Sequence, residues 1–280
     1  SDLLLWLQGV NVSKKYDVII DEIDVCPVQI QGPLSEDLMA KLAGEELREI
    51  PYYGLMETNI GGADVVISQT GFTGEKGYEI YVRDAHENAE LVWNSVLEAG
   101  EEFGLMVIAP AHHRRIAAGI LSWGQDLDHE TSPFQVNLSY QVPRNKEADY
   151  IGKEELERQR AVIDAGDFPF KMRMVGLTLG GKEITDYAPD FWLIADTDGN
   201  DMGYVTSPWW SPELNTNIAL GWVPWTSSEV GTKLQVRLPD EFSETSGVAV
   251  DGEVVDLPFR KSVTPNIREV KKEEGLDYAE

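Results

Sequence analysis

Apolar positions in the first part of the chain switch between two periods. VQIQGPLSEDLMAKLAG (28–44) begins as a strand, turns at Gly-Pro and continues as a helix. Ser35 is expected to cap that helix, with Glu36 and Asp37 in its first turn favoured by the helix dipole. Leu38, Met39, Leu42 and Leu47 give it an apolar face. ADVVISQTG (63–71) and GYEIYV (77–82) alternate as strands, and the Gly-rich segment between them reads as a hairpin connection. Asp84 is expected to cap a long helix with Leu91, Val92, Val96 and Ala99 at helical spacing and Gly104 near its end. A shorter helix is expected over 110–119, with Pro110 at its start. The order strand, helix, strand, strand, helix predicts an α+β layer.

The pattern changes near residue 170. MRMVGLTL, FWLIAD, MGYVTS, NIALGWV, TKLQVRL and the pair GVAV/EVVDLPF are short apolar runs separated by turn signals. Asp251-Gly252 reads as a type I′ hairpin turn, and TDGND (197–201) as a second hairpin. These runs predict an all-β barrel or sandwich. The charged tail from Arg268 is expected to fray.

Composition narrows the partners. The chain has 280 residues, a net charge of −26 and 42% hydrophobic residues, enough to bury a core. No Lys/Arg stripe exists for nucleic acid, and no apolar run approaches the ~20 residues of a membrane span. Neither partner is expected. The acidity suits solubility or adaptation to high salt. SDLLLWLQGV has no basic flank and is expected to be folded protein rather than a signal peptide. The single cysteine, Cys26, excludes an intrachain disulfide and favours a reducing, cytoplasmic location. VCPVQI predicts a buried strand thiol at Cys26.

Candidate chemistry is sparse. Asp196, Asp198, Asn200 and Asp201 resemble a calcium loop but lack its distal glutamate, so an acidic turn is expected. Asp126, Asp128, His129 and Glu130 read as a polar loop. His112 and His113 diverge on a helix and cannot share an ion in the i, i+4 manner. No metal site is expected, and no catalytic nucleophile motif is present. Gly71, Gly74 and Gly77 lead into a strand rather than a helix, which excludes a dinucleotide fingerprint. Glu79 remains. Near a strand end its carboxylate could accept two hydrogen bonds from an N–H/NH₂ edge such as a pterin offers, or it could face solvent. Trp209, Trp210, Trp222 and Trp225 suit a barrel core. Trp209 and Trp210 read as adjacent loop residues, one of them facing a substrate cavity, where an aromatic face suits a sulfonium or quaternary ammonium donor.

TGFTGEKGYEIYV (70–82) resembles the TGYTGEDGFEI motif of the tetrahydrofolate-dependent aminomethyltransferases, the T-protein of glycine cleavage and its relatives. VQIQGPLSEDLMAKL, RRIAAGILSWGQDLDHETSPFQVNLSYQV, DYIGKEEL and GYVTSPWWSPELNTNIALGWV with GTKLQV and VDLPF are similar to further segments of that family, in the same order. The resemblance implies a three-lobed cloverleaf with folate in a central channel. This chain would supply part of a folate-binding lobe (1–107), a helical second-lobe segment (108–168) and the C-terminal β-barrel (169–280). It implies that Glu79 recognises the pterin, that Phe72 and Trp123 wall the folate site, and that Arg115 aids the folate tail. Ala111 stands where the family has a folate-contacting arginine. No residue is assigned as catalytic. GILSWGQD, and SPF in place of TTP, resemble the demethylase branch. The implied activity is therefore transfer of a methyl group from a small S-, O- or N-methyl donor to tetrahydrofolate, with Trp209 and Trp210 toward the donor. Alternatives are aminomethyl transfer from a lipoyl carrier protein and folate binding without turnover. Family members carry a further N-terminal segment, so exposed apolar surface and association with a complementary chain or a second copy are expected.

Overall fold

The computed structural model describes residues 2–144, 146–188, 190–239, 242 and 249–260. It divides into two compact units, one of residues 1–71 and 76–106, the other of 72–75 and 107–280.

The first unit carries helix α1 (Asp2–Val10), then strand β1 (Val25–Gln31), helix α2 (Ser35–Ala43), strands β2 (Leu55–Ile60), β3 (Ala63–Ser68) and β4 (Gly77–Arg83), and helix α3 (Ala85–Gly100). The strands form one antiparallel sheet in the order β1-β4-β3-β2. Alternation assigns the two faces. Ile30, Val65, Ile67, Tyr78, Ile80 and Val82 are buried in one core with Leu38 and Met39 of α2 and Val92 and Val96 of α3. Glu79 and Tyr81 therefore project from the opposite face. Strand β2 escapes the sequence reading because LMETNI is half polar and only Ile60 in it is buried.

Three local expectations in this unit are corrected. Leu34, not Ser35, occupies the cap position of α2, and the Ser35 hydroxyl donates instead to the Lys76 carbonyl at 3.0 Å. Asp84 does hold the cap position of α3, in a left-handed conformation (φ 48°), but its side chain makes no cap bond. The capping oxygen comes from Asp24, which accepts the His86 backbone N–H at 3.1 Å and contacts His86 Nδ1 at 2.8 Å. That backbone bond is the main reason the Asp24 carboxyl sits below its usual range. Cys26 is exposed rather than buried. It lies on the same side of β1 as Val28 and Ile30, but toward the strand's end, and β1 is an edge strand.

The second unit contains helices α4 (His112–Ala117) and α5 (Lys153–Asp164) and strands β5 (Met172–Leu179), β6 (Trp192–Ala195), β7 (Asp201–Ser211), β8 (Thr216–Pro224), β9 (Lys233–Arg237) and β10 (Ala249–Val255). The strands close into a barrel in the order β10-β5-β8-β7-β6-β9. The mixed α and β content with a C-terminal barrel is as the sequence predicts. Leu177, Trp192, Ile194, Ala219, Val223, Leu234 and Val236 form one core cluster. A second joins Ile116 and Ala117 of α4 to Met174, Ile218, Leu220 and Trp222, with Trp209 packed against it.

The acidic hairpin is present. Residues 196–200 link β6 to β7, and Asp196 Oδ1 accepts the backbone N–H groups of Asp198 and Asn200. Asp251-Gly252 is not a turn. Both residues lie inside β10, where Gly252 is paired with Leu234 on one side and Leu179 on the other. A Cβ at Gly252 would lie 2.7 Å from Leu234 Cδ1, so close packing rather than turning requires the glycine. Trp209 and Trp210 are strand residues of β7, not loop residues. The tail from Arg268 lies outside the described residues. Among the described residues no helix is long and apolar enough to cross a membrane.

Candidate functional site

The uncovered face of the first unit's sheet is organised in rows by strand register. Gln29 of β1 stands opposite Glu79 of β4, and Ser68 of β3 flanks Glu79 on its other side. One row further along, Tyr81 lies between Pro27 and Val66, and beyond it Arg83 pairs with Val25. A polar row thus adjoins an apolar one. Beside them is a depression of about 650 Å³ whose lining includes Val25, Val66, Tyr81 and Arg83.

Glu79 is half-buried and held entirely by neutral donors. Its Oε1 accepts Gln29 Nε2 at 3.0 Å. Its Oε2 accepts the Thr70 hydroxyl and, at 3.3 Å, the Tyr81 hydroxyl. Thr70 Oγ1 is also 3.1 Å from Ser68 Oγ. A hydroxyl has one hydrogen, so with Thr70 donating to the carboxylate, Ser68 donates to Thr70. Burial, then the Glu79 charge, push the Tyr81 phenol above its usual value, so it remains a donor. Among the described residues no cation forms an ion pair with Glu79.

The glycines of the motif serve this arrangement. The Gln31 side chain lies across Gly71 and Gly77, and a Cβ would come within 2.2 Å and 2.4 Å of its amide. Gln31 Nε2 in turn donates to the Thr70 carbonyl at 3.2 Å, fixing the segment that carries the Thr70 hydroxyl. Gly74 alone has a left-handed backbone, φ 71°.

The other residues singled out in the sequence, Phe72, Arg115, Trp123, Trp209 and Trp210, belong to the second unit. Phe72 is half-buried. It begins the segment 72–75, in which the Thr73 carbonyl and the Glu75 carboxylate accept Arg260 Nη2 at 3.0 Å and 2.7 Å. Arg115 is 2% exposed. Nε donates toward His112 Nδ1 at 3.4 Å, Nη1 to the Ile120 carbonyl and Asp126, and Nη2 to Gln125 and Ser207. All five guanidinium N–H groups are engaged within the protein, which leaves none for a folate tail in this arrangement. Asp126 accepts Arg115 at 2.8 Å, the Ser122 backbone N–H at 2.7 Å, and the Thr206 and Ser207 hydroxyls at 2.6 Å each. Arg115 thereby organises the turn that displays Trp123, which is 68% exposed.

The half-buried Trp209 ring stacks on His112 with centroids 5.2 Å apart, and Tyr187 meets His112 edge-on at 5.0 Å. Burial and then the Arg115 charge lower the affinity of His112 for a proton. Trp210 is half-buried, its backbone N–H bound to the Ile184 carbonyl at 2.7 Å. Among the described residues no cluster of three His, Cys, Asp or Glu side chains could hold a metal.

Sequence reasoning missed Gln29, Ser68 and Thr70, and it read Asp126 as part of a polar loop, whereas the side chain is buried against Arg115. The polar alternation VQIQ was the visible trace of Gln29. Its pairing with Glu79, fifty residues away, emerges only from register.

Comparison with known proteins gives the lineage. Residues 1–146 match the GCVT N-terminal domain, and residues 173–261 the glycine cleavage T-protein C-terminal barrel domain. A dimethylsulfoniopropionate demethylase of Ruegeria pomeroyi is 33% identical over 239 residues, 85% of this chain and 62% of that protein. An aminomethyltransferase of a Geobacillus species is 30% identical over 259 residues, 91% of this chain and 66% of the relative. The chain thus spans less than two thirds of the length of each. The crystal structure of a glycine cleavage system aminomethyltransferase T from Bartonella henselae aligns with 92% of this chain and 66% of its own, with a TM-score of 0.65 at 22% identity, a likeness of fold. With both regions matched in order, the chain belongs to the glycine cleavage T-protein family.

Proposed function

We propose that the chain is a tetrahydrofolate-dependent one-carbon transferase that demethylates a small S-, O- or N-methyl donor. The observation that carries this reading is the Glu79 row: a half-buried carboxylate without a cationic partner among the described residues, set beside an apolar row of Pro27, Tyr81 and Val66. A flat heterocycle with a polar N–H edge needs both. The residues fit such a ring. A carboxylate offers roughly four acceptor sites, and Glu79 uses three, the longest to Tyr81. Two ligand N–H groups are accommodated when Tyr81 releases its bond.

Tetrahydrofolate, when bound, supplies the nucleophilic nitrogen that takes the one-carbon unit. The protein's own part is orientation. Glu79 holds the pterin edge, and Tyr81 and Val66 support its plane. Within the second unit, Arg115 holds the turn that carries Trp123. Trp209, stacked on an imidazole whose burial favours the neutral form, and Trp210 serve the methyl donor. Positioning a donor methyl against a nucleophile is worth several kcal/mol without any protein nucleophile.

The Ruegeria relative, a dimethylsulfoniopropionate demethylase 33% identical to this chain, supports the demethylase reading. The aminomethyltransferase relatives favour a second reading, aminomethyl transfer from a lipoyl carrier. Alanine at position 111 favours the first. We also infer association with a complementary chain or a second copy, because Leu3, Leu5, Trp6, Ile19 and Ile23 are all at least half exposed.

A thermal-shift titration with tetrahydrofolate tests the core claim. At a hundred times the dissociation constant, binding stabilises the native state by about 2.7 kcal/mol, and Glu79→Ala should abolish most of that gain. An equal shift in both proteins refutes the assignment. Binding without methyl transfer to folate from any S-, O- or N-methyl donor identifies a folate-binding subunit instead.

A further inference from the structure

We propose that Gln29 is a second ligand-reading residue, forming one composite edge with Glu79 that selects a heterocycle carrying an exocyclic amino group. The inference rests on the folate reading above and extends it to a residue of the edge strand.

Gln29 is exposed and stands directly opposite Glu79 in the β1–β4 ladder. Its Nε2 donates to Glu79 Oε1 at 3.0 Å. That bond fixes the amide's orientation, because only the NH₂ end can face a carboxylate. The amide carbonyl is consequently the other end, and it accepts no hydrogen bond among the described residues. The row therefore presents three acceptor oxygens in sequence, two of Glu79 and one of Gln29.

The acceptor count selects the ligand. A ring N–H beside an NH₂ group has three hydrogens on one edge. Two satisfy the carboxylate and leave the second amino hydrogen over. Glu79 Oε1 then accepts Gln29 and one ligand hydrogen, and Oε2 accepts Thr70 and the other. The third hydrogen meets the Gln29 carbonyl. Every donor on that edge is thereby matched, which is the condition under which polar recognition discriminates strongly. Thr70 is the complementary positioning residue, because its hydroxyl holds Oε2 from the side away from Gln29.

Calorimetric titration of the full chain with tetrahydrofolate and with its 2-desamino counterpart tests this. Gln29→Leu should weaken tetrahydrofolate by roughly tenfold and change the desamino affinity by less than about twofold. Thr70→Val should weaken both ligands, and Thr70→Ser should restore both. A Gln29→Leu loss shared equally by the two ligands shows a structural role and overturns the proposal. So does unchanged tetrahydrofolate affinity in Gln29→Leu while Glu79→Ala loses binding, an outcome that leaves the folate reading standing. Absence of binding by the unaltered chain, or full binding by Glu79→Ala, overturns both.

Discussion

Glu79 and Asp126 are both carboxylates gripped by at least three hydrogen bonds, yet their surroundings assign them opposite work. Asp126 is enclosed by the second unit, with a 0% exposed side chain, and faces Arg115 across 2.8 Å. Its other partners are two hydroxyls and a backbone N–H. Glu79 is half-buried on the sheet face away from α2 and α3 and, among the described residues, has neutral donors only. A charge taken fully from water needs a countercharge and saturated acceptors, which makes it part of the framework. A charge left partly in water with acceptor capacity remaining is available to a ligand. The closed barrel and the open sheet differ in the same sense: every barrel strand has two neighbours, whereas β1 and β2 each have one.

The comparison is broken most directly by removing each carboxylate. Asp126→Ala strands a buried guanidinium and is expected to cost about 3–5 kcal/mol, read as a large fall in the thermal midpoint. Glu79→Ala should cost about 1–2 kcal/mol of unliganded stability, the loss of solvent-accessible hydrogen bonds with no buried charge left unpaired. Similar losses from the two would erase the distinction.

Glycines give the next largest contrast. In the barrel, a Cβ at Gly203 would lie 2.0 Å from the Trp222 carbonyl oxygen, where only backbone movement relieves the clash. Gly203→Ala is expected to cost about 1–3 kcal/mol or more. In the open sheet, the added Cβ of Gly71→Ala meets only the flexible Gln31 amide. Its cost is expected to be the Gln31–Thr70 hydrogen bond, about 1 kcal/mol. Denaturant unfolding of the two variants checks the order.

The smallest effect sharpens the electrostatics of the second unit. Burial lowers the proton affinity of both His112 and His113 below the ordinary value of 6.5. A histidine depressed in the folded state contributes stability that is present above pH 6.5 and lost as pH falls through its folded value. The thermal midpoint should therefore decline on acidification from pH 7.5 toward 5, and less steeply in the double variant His112→Gln, His113→Gln. Identical slopes would remove the histidines as a cause.

What could be read from the sequence follows from how local each determinant is. The helix over 85–100 and the strands over 172–179 and 216–224 carry their period within a few residues, and they form as expected. Asp251-Gly252 misleads because the same dipeptide serves a tight turn or a crowded strand, and only the neighbours Leu234 and Leu179 decide. Ser35 and Asp84 stand near the right places, but the bonds expected of them are supplied by other geometry, Asp24 replacing Asp84 from across the chain. At the candidate site Glu79 was legible because its motif is contiguous. Gln29 and Thr70 were not, since a cross-strand partner has no fixed sequence offset. Arg115 was visible, but its five partners, reaching as far as Ser207, were not.

The register of β1 has one more consequence. Ile30 is buried against the helices while Gln29 faces the other way. Sliding the strand by a single position would drive Gln29 and Gln31 into the apolar interior and place Val28 or Ile30 opposite Glu79. The greasy side of the strand thus proofreads the reading side, so that an error in folding and an error in recognition are the same event.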